Sequence, residues 1–329
     1  MAVNPWNYDS MEDMRNTQKV IKEIKKADTI AIAGHVNPDG DCIGSLLSLG
    51  LGLEKLGKKV LMVSADGVPR RYKPLPGADR IKSKVDRKPD IAITVDCNKR
   101  EMLGEAADSL LEADAVIEVD HHESRKPFGD IALIDETSPS VGEMIYKLLK
   151  ALGVEVDRDI AMNILTSVIV ETNSFRLPNV RSRTFRICAD LVETGLDFYQ
   201  LTDMVFWSHS RVVTVLSGVC MARSRFLESG RLAWTEIRRE DFSAYKGKDE
   251  DVDAVPDELR SIRDVDIAIF FREKSNDSIR VSLRSKKHIN VAGLAQRYGG
   301  GGHIDVAGCV IPNTEIARDE LIERARRLL

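Results

Sequence analysis

The stretch TIAIAGHVNPDGDCIGS, residues 29–45, runs from a short aliphatic segment through a polar loop into the start of a helix. Leu46, Leu49, Leu53 and Leu56 recur at helical spacing after it, until Gly57 stops the pattern. Working outward, VLMVS, IAITVD and AVIEVD are further strand-length aliphatic runs at the spacing of βαβ units. That pattern predicts an α/β protein whose N-terminal part is a doubly wound parallel sheet.

Beyond this core, Val141–Val170 reads as helical, and Leu191 to about Leu227 carries a long helical pattern with few breakers. After Gly230 the pattern changes to the strands RLAWTEI, VDIAIFF and SIRVSLRS, a helix near Val291–Tyr298, the run Gly299–His303, the strand AGCVI and a closing helix. This is a smaller α/β domain with a mixed sheet. The expected division is residues 1–190, a helical connector over 191–228, and a second domain over 229–329.

A length of 329 residues also favours two domains. Charged residues make up 30% and aromatics 5%, an ordinary composition for a soluble protein. The apolar runs fall well short of the ~20 residues of a membrane span, and Met1–Lys26 reads as an amphipathic helix, not a secretory signal. A cytoplasmic protein without membrane association is expected. The five cysteines show no CxxC spacing and read as reduced thiols. A net charge of −4 argues against stable binding to duplex DNA and leaves a short or small anionic substrate, held by local basic clusters.

The acidic residues fall where such a sheet places its ligands. Asp96 ends IAITVD, Asp120 ends AVIEVD, and His35, Asp39 and Asp41 follow TIAIAG. The carboxyl ends of parallel strands converge on one crevice. Any one of these aspartates alone reads as a helix N-cap. Four carboxylates together repel one another unless cations compensate. Mixed imidazole and carboxylate donors suit Mn²⁺ best, with Mg²⁺ or Co²⁺ as substitutes, and the number of donors suits two ions, with Asp96 as a candidate bridge. Ions ~3.5–4 Å apart activate a bridging water for phosphoryl transfer, so phosphoester hydrolysis is the expected chemistry.

Gly299–Gly302 would let the backbone approach an anion closely, and Arg284 suits bidentate phosphate contact. Arg176, Arg181, Arg183 and Arg186, beside Phe175, read either as an entrance for a single strand or as a solvated helical face. His209 and His288 have no motif around them.

HVNPDGDCIGS (35–45), VDC (95–97), VDHH (119–122) and GGGGH (299–303) together resemble the DHH phosphoesterase superfamily with a DHHA1 domain. The resemblance implies that His35, Asp39 and Asp96 hold one ion and that Asp41, Asp96 and His121 hold the other. It makes His122 a catalytic residue facing the scissile phosphate and Asp120 its support. Glu171-Thr172 stands where the family usually has Asp-Thr, so Glu171 is the expected further ligand, one methylene longer. Arg284, Ser285, Gly300, Gly301, Gly302 and His303 are the implied substrate contacts. Length and RSKKHINVAGLAQRYGGGGHIDVAG are most similar to the stand-alone nanoRNase type, which acts on short RNA and on 3′-phosphoadenosine 5′-phosphate. Hydrolysis of linear or cyclic dinucleotides such as pApA or cyclic di-AMP, and nucleotide binding with impaired catalysis, are the alternatives. A homodimer is compatible with the sequence.

Overall fold

A computed structural model describes residues 11–207, 210–275, 277–286 and 289–329. His209, His288 and the first ten residues, with the start of the expected N-terminal helix, lie outside them. The chain divides into two compact units, Met1–Ser208 and His209–Leu329.

The first unit contains α1 (Met11–Lys26), β1 (Thr29–Ala33), α2 (Gly40–Lys55), β2 (Lys59–Val63), β3 (Ile91–Val95), α3 (Ala107–Leu110), β4 (Ala115–Asp120), β5 (Ile131–Ile134), α4 (Val141–Ala151), α5 (Arg158–Glu171), α6 (Ser182–Glu193) and α7 (Phe198–Thr202). Its sheet has the order β2-β1-β3-β4-β5, and every neighbouring pair is parallel. The chain leaves β1 to one side for β2 and returns on the other side for β3. A topological switch point therefore lies between β1 and β3, where such sheets bind ligands.

Strands buried on both faces need continuous aliphatic runs, and β3 is buried at all five positions. The helix α2 is buried along nearly its whole length, because glycines on its surface admit its neighbours. A Cβ at Gly44 would lie 2.4 Å from the Asn163 carbonyl of α5, and one at Gly52 would lie 2.3 Å from Leu149 of α4. Leu46, Leu49 and Leu53 are fully buried, as their spacing predicts, whereas Leu56 follows the helix as its C-cap and is exposed.

Three local features depart from the sequence reading. The strand β5 extends the sheet although its run is only four residues long and half-buried. The expected helix over Val141–Val170 is two helices, because Gly153 adopts a left-handed φ of +77° and Asp157 caps a new N-terminus. Leu191–Leu227 is likewise interrupted, first by Gly195 at φ +80° after α6, then by a π-helical turn over Asp203–Trp207 after α7.

The second unit contains α8 (Arg211–Ala222), β6 (Arg225–Leu227), β7 (Leu232–Ile237), α9 (Arg239–Tyr245), α10 (Val255–Ser261), β8 (Ile267–Ser275), β9 (Ser278–Ser285), α11 (Val291–Gln296), β10 (Gly301–Gly302), β11 (Val306–Pro312) and α12 (Glu315–Arg326). The sheet order is β10-β11-β9-β8-β7-β6, mixed because β7 and β8 run parallel while the other pairs are antiparallel. Phe271, Ile279, Val281 and Leu283 form its core with Val291 and Leu294 of α11 and Leu321 of α12. The α/β class, with a parallel sheet followed by a mixed one, agrees with the sequence. Among the described residues no single helix is long and apolar enough to cross a membrane.

The α2–α5 contact yields a stability prediction. Gly44→Ala is expected to lower unfolding free energy by about 1–3 kcal/mol, the range for overpacking a close-packed core. A urea midpoint equal to that of the wild type would show that the two helices are not held at this distance.

Candidate metal centre

The site is assembled from the residues that follow β1, β3 and β4, together with the C-terminal end of α5. Asp39 caps α2, its Oδ1 accepting from the Asp41 and Cys42 amides at 2.9 and 3.0 Å. The modest N-cap reading of this aspartate is thus correct, and the same carboxylate also faces His35 Nε2 at 3.9 Å. Asp96 leaves β3 with φ +56°, a left-handed conformation that a non-glycine residue adopts at a cost of ~1–3 kcal/mol and that recurs at functional sites.

Asp96 is central to the geometry. Its Oδ2 lies 3.4 Å from His35 Nε2 and its Oδ1 lies 3.8 Å from His121 Nε2, so one carboxylate faces two imidazoles with opposite oxygens. His121 Nε2 also lies 3.7 Å from Asp41 Oδ2 and 3.8 Å from Glu171 Oε1. In each of three sets, His35–Asp39–Asp96, Asp41–His121–Glu171 and Asp96–His121–His122, the donor atoms lie within 4.8 Å of one another. All six residues expected to hold metal are therefore brought together, and the longer Glu171 side chain reaches the cluster.

Neighbouring groups orient these donors. His35 Nδ1 donates to the Val36 carbonyl at 2.8 Å and His121 Nδ1 to the Ser138 carbonyl at 3.1 Å. Since a carbonyl only accepts, Nδ1 carries a proton in each ring and Nε2 is the atom left to face the carboxylates, where its lone pair would be free for a cation once it is deprotonated. Asp41 accepts from Ser167 Oγ at 2.5 Å, Ser45 Oγ at 3.1 Å, and the Val141 and Gly142 amides at the N-terminus of α4 at 3.0 and 3.2 Å. His122 Nδ1 lies 2.7 Å from Asp120 Oδ1. Asp120 in turn lies 3.3 Å from Arg125 Nε, and Arg125 pairs with buried Glu118.

Sequence reading did not find these supports. Ser45, four residues after Asp41, and Glu118, two before Asp120 and so on its face of β4, carry a spacing signal. Ser167 and Arg125 carry none.

Packed carboxylates must be neutralised. Burial and the charge of Asp96 raise the Asp39 carboxyl and push Asp41 up to about 7. Burial, with Asp39, Asp41 and Asp96 nearby, raises Glu171 well above the usual range. Asp96 moves the other way: burial opposes its charge, but the hydrogen bond and charge of His35, with His122 and His121, hold it below the usual range. Burial likewise opposes a charged His35, yet Cys42 and Asp96 raise it. Proton uptake relieves this repulsion, and bound cations would relieve it in the same way.

The residues suit divalent cations on a structural test. Asp96 Oδ1 and His121 Nε2 are buried and have no hydrogen-bond partner among the described residues. Buried polar atoms are rarely left so, and these two point at each other across 3.8 Å.

In the second unit, the β9 end and the glycine run meet in one sheet. Arg284 pairs with Val306 of β11 in register, and its guanidinium donates from Nε and Nη2 to Asp257 of α10 at 2.9 and 3.4 Å. Ser285 is fully buried and its hydroxyl donates to the Ile289 carbonyl at 2.6 Å, so it shapes the loop instead of presenting a side chain to a substrate. The glycine run is also more ordered than an open anion cradle. Gly299 and Gly300 amides donate to Gln296 and Ala295, the His303 amide donates to Val306 at 2.7 Å, and Gly301 and Gly302 form β10. A Cβ at Gly300 would lie 2.1 Å from the Gly308 carbonyl, and Gly302 adopts φ +140°, so close strand pairing requires both glycines.

The fold and cluster define a class: a parallel α/β domain with a buried imidazole–carboxylate centre, followed by a mixed-sheet domain. The DHH family, N-terminal domain, matches residues 29–170 and the DHHA1 domain matches residues 242–329. The chain belongs to the DHH/DHHA1 phosphoesterase family. It is similar to the bifunctional oligoribonuclease and PAP phosphatase NrnA of Thermus thermophilus, at 28% identity over 323 residues, covering 97% of this chain and 95% of that protein. Among solved structures it resembles an exopolyphosphatase-related protein from Bacteroides fragilis, with a TM-score of 0.89 and 23% identity, over 96% of this chain and 97% of that one. A further fold relative is RecJ from Thermus thermophilus in complex with Mn²⁺, with a TM-score of 0.56 and 12% identity, over 97% of this chain and 55% of that one.

A carboxyl with a raised folded-state pKa takes up protons on folding. For Asp41 the metal-free protein therefore loses stability as pH rises between the ordinary 3.8 and about 7. Bound cations remove that penalty, so the gain in Tm on adding Mn²⁺ is expected to be larger at pH 8 than at pH 5, with proton release in calorimetry. A gain independent of pH, with no protons released, would contradict neutralisation of this cluster by metal.

Proposed function

We propose that this protein is a two-metal phosphoesterase that cleaves short single-stranded RNA oligonucleotides to mononucleotides and removes the 3′-phosphate of 3′-phosphoadenosine 5′-phosphate. The observation that carries the phosphoesterase reading is the position of Asp96 between two donor sets, with one oxygen towards His35 and the other towards His121. The choice of substrate rests on the near full-length similarity to a relative named for both activities.

His35, Asp39 and Asp96 would hold one cation, and Asp41, Asp96, His121 and Glu171 the second. Mn²⁺ is the preferred ion by donor chemistry, with Mg²⁺ or Co²⁺ as substitutes, and a fold relative was solved with Mn²⁺. Bound there, such ions supply an activated water and neutralise charge on the phosphoryl group.

The protein's own groups do the rest. Asp120 fixes the His122 ring through Nδ1, which directs Nε2 away from its anchor and towards the leaving oxygen. Burial opposes a charged His122, but the Asp120 bond holds its pKa up to about 9, so the ring carries a proton to give at neutral pH. Asp41, fixed by two serine hydroxyls and two amides, does not turn away when a substrate arrives. Arg284, held on one edge by Asp257, would present its remaining donors to a phosphate.

Turnover of RNA di-, tri- and pentanucleotides, a long single-stranded RNA, 3′-phosphoadenosine 5′-phosphate, pApA and cyclic di-AMP with Mn²⁺ tests the substrate assignment. Short RNA and the bisphosphate are expected to be consumed fastest. Preferential loss of the long RNA, or of cyclic di-AMP, would replace this assignment. Absence of turnover with every phosphoester, despite nucleotide binding, would favour the binding-only alternative. His122→Ala is expected to lower kcat by about 10²–10⁴-fold, the usual contribution of a general acid, while leaving Mn²⁺ content unchanged by elemental analysis. Loss of the metal itself would make His122 a ligand.

A further inference from the structure

One surface of the first unit combines cations and aromatic rings beside the metal centre. The turn Arg70–Tyr72 follows the loop after β2, and buried Tyr72 anchors it. The Tyr72 hydroxyl lies 3.0 Å from where a Cβ at Gly40 would stand, and Gly40 directly follows Asp39. The same turn packs against the π-helical turn Asp203–Trp207, and Pro74 and Leu75 meet Gln200, Leu201 and Met204 beside it.

What this junction leaves outside is chemically distinctive. Arg70, Arg71 and Lys73 are exposed and form no ion pair among the described residues. Arg71 lies over the Tyr72 ring at 6.0 Å. On the adjoining segment Tyr199 and Trp207 are each 67% exposed, with ring centroids 6.1 Å apart, and Phe206 is 37% exposed. Large aromatic rings left in water next to unpaired cations match what a single strand offers: flat bases for stacking and phosphates for charge. Continuity with Asp39 through Tyr72 and Gly40 favours the substrate over an unrelated ligand.

We propose that Arg70, Arg71, Lys73, Tyr199, Phe206 and Trp207 form a docking surface for single-stranded oligonucleotide, taking the part of the strand that extends beyond the nucleotide at the metal centre. This rests on the phosphoesterase reading above and adds a length dependence to it. On this proposal a heptanucleotide is expected to reach the surface and a dinucleotide to fall short of it.

The test uses the full-length, Mn²⁺-loaded protein and two independent variants, Arg70→Glu/Arg71→Glu and Tyr199→Ala/Trp207→Ala, each checked for a wild-type thermal melt. Anisotropy gives the Kd of a labelled, phosphorothioate-linked RNA heptanucleotide and of the matching dinucleotide, at two salt concentrations, and turnover of an unmodified RNA dinucleotide is measured in parallel. Each variant is expected to weaken the heptanucleotide by at least about five-fold, as loss of one stacked base would, and to change the dinucleotide by less than about two-fold. The arginine variant should also flatten the salt dependence.

Unchanged heptanucleotide binding in both variants overturns the proposal. Equal weakening of both lengths does too, since the effect then belongs to the metal centre or the fold. Unchanged binding together with loss of self-association in gel filtration, or of sedimentation with anionic vesicles, assigns the surface to a second copy or a lipid and also overturns it. Dinucleotide turnover by the wild type without any gain in affinity for the heptanucleotide defeats this inference and leaves the phosphoesterase reading standing. Length-dependent binding without turnover does the reverse.

Discussion

Mutual repulsion among Asp39, Asp41, Asp96 and Glu171 is the constraint on which the first unit is built. Asp41 and Asp96 are buried, and like charges gathered around them are costly unless they are paired or protonated. The scaffold answers with fixed positive ends. Asp39 caps α2, and Asp41 receives two amides from the N-terminus of α4, which places partial positive charge of two helices against two carboxylates. His35 and His121 lie on either side of Asp96. The remaining imbalance is what divalent cations would remove.

That arrangement also explains the packing behind the centre. The helix α2 must bring Asp41 to Ser167 of α5 and to the start of α4 at hydrogen-bond distance. Gly44 and Gly142 make the approach possible, since a Cβ at either would meet α5 at 2.4 Å or less. Core apposition and site geometry are thus one requirement. A larger residue at these positions would move the ligands as well as strain the core.

Much of this was legible from residue order, because strand ends in a parallel sheet are fixed by topology. Once TIAIAG, IAITVD and AVIEVD are read as neighbouring strands, His35, Asp96 and Asp120 must meet. The sheet edge and the helix breaks were less legible. The strand β5 has only a four-residue, half-exposed run, and Gly153 and Gly195 end helices through left-handed backbone that apolar periodicity does not reveal. In the second unit the motif GGGGH was visible, but its amides are largely engaged within the chain and Ser285 is buried. Pairing partners such as Asp257 for Arg284 and Ser167 for Asp41 come from distant segments, and a single sequence gives no signal for them.

The placement of one carboxylate between two donor sets has a direct spectroscopic consequence. Electron paramagnetic resonance of Mn²⁺-titrated protein, with elemental analysis of the same samples, measures both the number of ions and whether they interact. Two ions per chain with an exchange-coupled spectrum, lost in Asp96→Ala, are expected when Asp96 is shared between them. A single ion with an uncoupled spectrum, unchanged in Asp96→Ala, would contradict a shared metal centre.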